Sequence, residues 1–273
     1  MGYTELNKKP EDNSGMFAEE RKQMIVDIVN RDAKTTVAEL CERFAVSPVT
    51  IRADLRELEE SKLLTRTHGG AIANKRANYE KNTYQKEIEC MEQKRAIAQI
   101  ALAYVDEGDT IAIDTGTTMY EFAKLLTDFE QLNVVTNDLQ IALYLEQNSN
   151  VRIILAGGEV RTNFHCTVGQ RALDSISDLN VDRAFIAANG VDMKRGLTTP
   201  DIPTADVKRK LVELGQEVVL LADSSKIGKS SFVRFADMDE VDVTITDEGV
   251  EKERLEQMRA KGAMVEVCKV EKK

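Results

Sequence analysis

Between Phe17 and Arg31 the apolar residues Met24, Ile25, Ile28 and Val29 recur at helical spacing among charges, which predicts an amphipathic helix. Thr36 followed by Glu39 is a capping box: the hydroxyl accepts from a free backbone N–H while the carboxylate reaches back. It opens a second helix through Phe44, with Leu40 and Phe44 on one face. Residues 45–48 then lead into a third helix, with Ser47 as N-cap and Pro48 at the first helical position, where its missing N–H costs nothing. In that helix Ile51, Leu55 and Leu58 are spaced four and three apart and face inward. At about 100° per residue the opposite face carries Val49, Arg52, Ala53 and Arg56. Leu63 to His68 is extended in character, Gly69-Gly70 supplies the positive φ angles of a tight hairpin turn, and Ala71 to Ala73 returns. The pattern is helix, helix, turn, helix, then a β-wing.

Residues 74–93 are polar and charge-rich without a core pattern, and predict a linker with some helical character. From Lys94 onward the period changes. A helix leads into the apolar strand Thr110–Asp114, and Asp114-Thr115-Gly116-Thr117-Thr118 opens the next helix. Further strands are predicted at Asn133–Thr136, Val151–Ala156, Ala184–Ala188, Glu217–Ala222 and Val241–Thr246, each followed by a polar or glycine-bearing loop. Buried apolar strands alternating with helices indicate a largely parallel α/β sheet, in which ligands sit at the carboxyl ends of the strands. The domain reading is a disordered tail at 1–15, a winged helix-turn-helix at 16–73, the linker at 74–93 and an α/β domain at 94–273.

Composition narrows the classes. The 273 residues are 42% hydrophobic and 31% charged, a soluble globular balance. No apolar run reaches the roughly 18 residues of a membrane span, and the N-terminus lacks a signal core, so a cytoplasmic protein is expected. Cys41, Cys90, Cys166 and Cys268 lie far apart with no CxxC pair, and His68 and His165 are the only histidines. Reduced thiols and no metal site are therefore expected. The formal net charge of −10 argues against nucleic-acid binding by the whole surface. The charge is partitioned, however. Met16 to Arg76 holds eleven Lys/Arg against ten Asp/Glu, and no acid occurs from Ser61 to Arg76.

Two constellations carry chemistry. A recognition helix places small and polar side chains against base edges, so Ser47, Val49, Thr50, Arg52 and Arg56 are candidate DNA contacts, with Arg66, Thr67 and His68 on the wing. A three-helix bundle with solvated charges, or a winged helix that binds protein, has the same pattern. Asp114 to Thr118 combines a strand end, a glycine turn, hydroxyls and a helix N-terminus, the elements of a phosphate cradle, with Lys94 and Lys226 as candidate cations. A capped strand-to-helix turn uses the same residues. His165 beside Cys166 invites a nucleophile reading, but adjacent residues point apart and local packing explains them as well.

The run Ser47-Pro48-Val49-Thr50-Ile51-Arg52-x-Asp54-Leu55, then Leu58-Glu59 and Leu64-x-Arg66-Thr67-His68-Gly69-Gly70-Ala71, closely resembles the DNA-binding signature of DeoR-type bacterial repressors. Ala53 stands where that family usually has a second basic residue. The likeness continues at Gly108-Asp109, Ile111, Ile113-Asp114, Gly116-Thr117-Thr118, Val134-Val135-Thr136-Asn137, Gly157-Gly158, Gly190, Gly196-Leu197-Thr198 and Asp223-Ser224-Ser225-Lys226, so it covers about four fifths of the chain. It implies an α/β protein: an N-terminal winged helix-turn-helix plus a C-terminal Rossmann-like effector domain similar to ribose-5-phosphate isomerase and glucosamine-6-phosphate deaminase.

By that likeness Thr115, Gly116, Thr117 and Thr118 cradle a sugar phosphate, Lys226 and Lys94 neutralise it, and Asp114, Asn137 and Asp192 read hydroxyls. Asp138 replaces the serine frequent in the family. Isomerases of the related fold carry an Asp-Gly-Ala-Asp loop; here the similar segment is Asn189-Gly190-Val191-Asp192, whose first residue cannot act as a base. The resemblance implies a non-enzymatic, homo-oligomeric repressor of a carbohydrate-use operon. Its partners are operator DNA and a phosphorylated sugar, with no cofactor and no membrane.

Overall fold

A computed structural model describes residues 18–32, 34–61, 63–73, 80–262 and 264–270, and the tail expected at 1–15 lies outside them. The chain divides into two units after residue 79. The first contains α1 (Ala18–Asp32), β1 (Lys34–Thr36), α2 (Val37–Phe44), α3 (Pro48–Glu60), β2 (Leu64–Thr67) and β3 (Gly70–Ala73). Thr36 caps α2 through the expected box: its hydroxyl accepts from Glu39 N at 3.2 Å, and Glu39 accepts from Thr36 N at 2.8 Å. Ser47 caps α3 by accepting from Thr50 N at 3.2 Å. Ile25, Val29, Leu40, Phe44, Ile51, Leu55 and Leu58 meet in one buried cluster with Leu64 and Ala71. Each such side chain contributes roughly 1.5–3 kcal/mol.

The wing differs from its expected form in two respects. It has three antiparallel strands in the order β1-β3-β2, because Lys34–Thr36, too short to show a periodicity, pairs with β3. The hairpin also turns without a positive φ at Gly69 or Gly70. Gly70 is needed for closeness instead: a Cβ there would lie 1.9 Å from the Thr35 carbonyl oxygen.

The second unit runs α4 (Thr83–Glu87), α5 (Met91–Ala101), β4 (Thr110–Ile113), α6 (Thr117–Ala123), β5 (Asn133–Thr136), α7 (Leu139–Asn148) and β6 (Arg152–Leu155). It continues with β7 (Glu159–Arg161), β8 (Cys166–Val168), α8 (Gln170–Ile176), β9 (Val181–Ile186), β10 (Gly190–Asp192), β11 (Gly196–Thr199), α9 (Ile202–Leu214) and β12 (Gly215–Leu221). It ends with β13 (Val233–Ala236), β14 (Val243–Asp247), α10 (Lys252–Ala260) and β15 (Met264–Cys268). Residues 80–93, read from sequence as the end of a linker, thus carry α4 and the start of α5 within this unit.

Seven parallel strands form one sheet in the order β15-β14-β12-β9-β4-β5-β6. Alternate side chains enter two cores. Ile111, Ile113, Phe185 and Val219 pack with Ile97, Phe122 and Ile141 of α5, α6 and α7. Ala112, Ala184, Ile186 and Leu220 pack on the other face with Ile176, Leu211 and Met258 of α8, α9 and α10. All six predicted strands are present; β15 and two small antiparallel sheets, β10-β11-β13 and β7-β8, are additions. The chain advances from β4 to β6 in one direction, then re-enters on the other side of β4 with β9. That makes β4/β9 the topological switch point, where helices leave to opposite faces and a crevice opens. Among the described residues no helix is long and apolar enough to cross a membrane.

Because its new Cβ would drive β1 off β3, Gly70→Ala is expected to lower the stability of the first unit by about 2 kcal/mol or more in a urea melt. Gly69→Ala, whose Cβ meets nothing within 4 Å, should melt as the parent does.

Candidate functional site

Exposed residues of α3 and the wing form the first candidate surface. Val49 is 74% exposed, and Arg52, Arg56, Arg66, Thr67 and His68 are exposed as well. Ser47 and Thr50 share a hydroxyl–hydroxyl bond of 2.9 Å at the helix start. Three of the four acids of α3, Asp54, Glu57 and Glu59, are held by cations from elsewhere. Asp54 is buried and accepts from Arg21 at 2.7 and 3.2 Å, and Glu57 pairs with Lys22 at 2.5 Å. Glu59 accepts from Arg66 N at 2.9 Å and lies 3.6 Å from the Arg66 guanidinium. Arg52 and Arg56 have no carboxylate within salt-bridge distance among the described residues. Their charge is presented outward, whereas that of Arg66 is shared with Glu59.

In the second unit a cavity of about 70 Å³ opens at the carboxyl ends of β4, β9 and β12, at the switch point. Its floor is Thr115, Gly116, Thr117 and Thr118 after β4, Ala187, Ala188 and Asn189 after β9, and Asp223 and Lys226 after β12. Glu80, Lys86, Cys90 and Lys94 of the 80–94 segment, with Arg161, Phe164 and Cys166 of the β7–β8 hairpin, complete the wall.

The loop after β4 is a donor surface. Gly116 has φ +138°, an angle that favours glycine, and no side chain caps α6. The hydroxyls of Thr117 and Thr118 make no hydrogen bond to another described residue. Asp138 fixes the loop from beneath: its carboxylate accepts from Thr115 Oγ1 at 2.6 Å and Gly116 N at 3.3 Å, and caps α7 through Gln140 N and Ile141 N at 2.9 and 3.0 Å. Burial raises the Asp138 pKa, against the lowering effect of those four donors.

Five cations line the cavity and four have carboxylates. Lys208 is paired with Asp114, both nearly inaccessible, and also donates to Ala187 O at 3.0 Å. Lys86 bonds Glu80 at 2.5 Å, and Arg161 bonds Glu80 at 2.8 Å while lying 3.5 Å from Asp201 and 3.7 Å over the Phe164 ring. Lys226 lies 3.6 Å from Asp223. Lys94 is the exception: it is 3% exposed, donates to Lys86 O, and has no carboxylate in reach among the described residues. Burial lowers its pKa, with Lys226 adding to the effect against Asp223. Lys86 is lowered as well, first by burial, although Glu80 opposes the shift. Glu80 itself is brought down to about 2: burial pushes up, and Lys86 and Arg161 together outweigh it.

The structure therefore brings Lys94, Thr115, Gly116, Thr117, Thr118 and Lys226 into one cavity. Three other sequence candidates do not line it. Asp114 is fully buried beneath it, where Oδ2 accepts from Lys208 and from Ala187 N at 2.9 Å. Asn137 is 1% exposed and donates to Thr167 O at 3.0 Å. Asp192 accepts from Lys194 N and Arg195 N, both at 2.9 Å, in a turn lining a different hollow with Arg254. Glu80, Lys86, Arg161 and Lys208 went unread, because no local motif marks them and only the folded chain gathers them. Cys166 is buried and its thiol is pushed up to about 11 by burial, which does not favour the nucleophilic thiolate, while His165 serves through its backbone carbonyl, accepting from Leu139 N at 2.8 Å.

A winged helix-turn-helix joined to an α/β unit with a cation-lined cavity is the architecture of a ligand-responsive regulator, and two family models match it. The DeoR C-terminal sensor domain matches residues 89–248, and the DeoR-like helix-turn-helix domain matches residues 21–77. The chain belongs to the DeoR family of transcriptional regulators. It is 37% identical over 250 residues to the HTH-type transcriptional regulator GlpR of Haloferax volcanii, covering 92% of this chain and 98% of that one. It is 34% identical over 228 residues to the glycerol-3-phosphate regulon repressor of Escherichia coli K12, covering 84% and 90%. Among solved structures it is similar to ribose 5-phosphate isomerase A from Methanocaldococcus jannaschii, at 18% identity over 49% of this chain and 53% of that one, with a TM-score of 0.37.

Lys208→Met would strand a buried Asp114 charge and is expected to cost about 3 kcal/mol in chemical denaturation of the second unit. Adding Asp114→Asn should restore more than half of that loss, since the amide can still accept from Ala187 N.

Proposed function

We propose that this regulator is a repressor whose winged helix reads operator DNA and whose cavity holds a phosphorylated sugar or polyol that releases it. The observation that carries the reading is Lys94, a buried lysine with no carboxylate within salt-bridge distance among the described residues, which lines the same cavity as Lys226, Thr117 and Thr118. A cation in low dielectric is costly unless an anion completes it. Donors converging beside it suit the three oxygens of a phosphate ester. The small volume favours a compact ligand. The name of the Escherichia coli relative, with its glycerol-3-phosphate regulon, accords with a small phosphorylated polyol.

On the DNA side α3 enters the major groove. Val49, Thr50, Arg52 and Arg56 face base edges and flanking phosphates, Ser47 holds the helix start, and Arg66, Thr67 and His68 of the wing meet the backbone. Arg66 would exchange Glu59 for phosphate. Two copies in a homo-oligomer present two such helices to paired half-sites. The ligand favours an arrangement in which they no longer match the half-site spacing. A tenfold loss of operator affinity needs about 1.4 kcal/mol of such coupling.

The cavity binds without turnover in this reading. Asn189 is an amide committed to Glu80 and Thr199, at 3.1 and 3.0 Å, and the Asp192 carboxylate caps its own turn. Neither offers a base to a sugar carbon.

Gel shifts on the gene's own upstream DNA, repeated with a panel of sugar phosphates, test the proposal. Arg52→Ala and Arg56→Ala should each weaken specific binding by about tenfold and flatten its salt dependence. Lys94→Met should keep operator binding and lose the sugar response. Unchanged binding in the arginine variants would move the DNA surface elsewhere, and a Lys94→Met protein that still responds would move the ligand.

Proton linkage gives a second check. Burial depresses the Lys94 pKa and a phosphate favours its charged form, so binding should take up protons and weaken as pH rises toward alkaline values. Titration calorimetry in two buffers of different ionisation enthalpy, at alkaline pH where the ester is fully dianionic, reads that uptake; a proton uptake that is the same in Lys94→Met would remove Lys94 from the phosphate.

A further inference from the structure

The cavity that Lys94 lines also holds a carboxylate that the phosphate reading does not use. The Glu80 side chain is 7% exposed, and its position is set by three donors from three different segments. Oε1 accepts from Lys86 at 2.5 Å and from Asn189 Nδ2 at 3.1 Å, and Oε2 accepts from Arg161 at 2.8 Å. A carboxylate offers about four acceptor positions, so one remains on Oε2. With a pKa near 2 the group stays ionised and is acceptor-only under all ordinary conditions. Lys86 has three ammonium hydrogens and uses one on Glu80. A fixed acceptor beside a donor with hydrogens to spare is what a hydroxyl requires, since it donates once and accepts once. The two ends of the cavity are also physically joined, because Lys94 donates to the backbone carbonyl of Lys86. One lysine residue thus separates the phosphate end from the Glu80 end.

We propose that Glu80, with Lys86 beside it, is the specificity-determining pair of this sensor, reading a hydroxyl of a compact phosphorylated polyol whose phosphate lies against Lys94. The proposal rests on the phosphate-site reading above and supplies what that reading lacks, the group that distinguishes a sugar phosphate from phosphate alone. It also fills the role that the positions of Asp114, Asn137 and Asp192 leave open. Arg161 and Asn189 act as positioning residues, holding the carboxylate without touching the ligand.

The test is calorimetric titration of the full chain with inorganic phosphate and with glycerol 3-phosphate, ribose 5-phosphate and fructose 6-phosphate. The parent protein should bind at least one ester tenfold or more tightly than inorganic phosphate. E80Q should reduce that ratio to within about threefold of unity. E80D keeps the charge among its donors but withdraws it by one methylene, so it should also lose most of the ratio while melting close to the parent. If E80Q and E80D weaken ester and inorganic phosphate by the same factor, Glu80 is merely structural and the proposal fails. A ratio that is unchanged in both variants, or no ester preference in the parent, overturns it as well. Loss of phosphate binding in K94M, with the ratio in E80Q collapsed, supports both readings. Phosphate binding that K94M leaves intact overturns the phosphate reading itself.

Discussion

Asp114 stitches together the fork of the seven-stranded sheet, and the sensor unit is built around that stitch. At the carboxyl end of β4 its backbone N–H donates to Phe185 O of β9. Its side chain accepts from Ala187 N just beyond β9 and from Lys208 of α9, so two strands and a helix converge on one carboxylate. This is the place where the fold is least able to close itself. α6 leaves toward one core and α9 belongs to the other, so neither covers the crevice between β4 and β9. A charge pair there is held in low dielectric, where breaking it is far costlier than breaking a surface pair. The crevice stays open without the strands separating.

Above the stitch, charges are matched with one omission. Glu80 balances Lys86 and Arg161, Asp114 balances Lys208, and Asp223 stands near Lys226. Among the described residues Lys94 has only a backbone carbonyl. Asp138 keeps the facing loop in shape from below, so donors are already oriented where an anion would complete the set. Such preorganisation lowers the cost of binding, since little of the loop has to be ordered when ligand arrives.

The first unit treats charge by the same logic in reverse. Asp54, Glu57 and Glu59 on α3 are neutralised by Arg21, Lys22 and Arg66, while among the described residues Arg52 and Arg56 stand outside any pair. In a chain of net charge −10 this keeps one helix face attractive to phosphate. The Arg21–Asp54 contact also explains an acid on the inward face of α3, beside Ile51, Leu55 and Leu58.

Much was legible along the chain because it depends on neighbours a few residues apart. The capping box at Thr36, the cap at Ser47, the inward row Ile51, Leu55 and Leu58, the six parallel strands and the Thr115–Thr118 turn all follow from local spacing. β1 and the β7–β8 hairpin were not legible, being three-residue strands with no measurable period. Gly70 was assigned to a turn when its reason is the approach of β1, a contact thirty-five residues away in sequence. The cavity was half legible: its Thr115–Thr118 loop is a local motif, but Glu80, Lys86, Arg161 and Lys208 come from three separate segments. Asp114, Asn137 and Asp192 were assigned to hydroxyls because polar residues at strand ends commonly are, yet folding turned two into scaffolding and one into a turn cap. Sequence by itself determined the elements, the fold class and the helix face that carries Arg52 and Arg56, since these rest on short-range periodicity. Only the tertiary structure decided which of the described cavity lysines lacks a carboxylate and which carboxylates share its cavity, because strand order, not chain order, sets which charges meet.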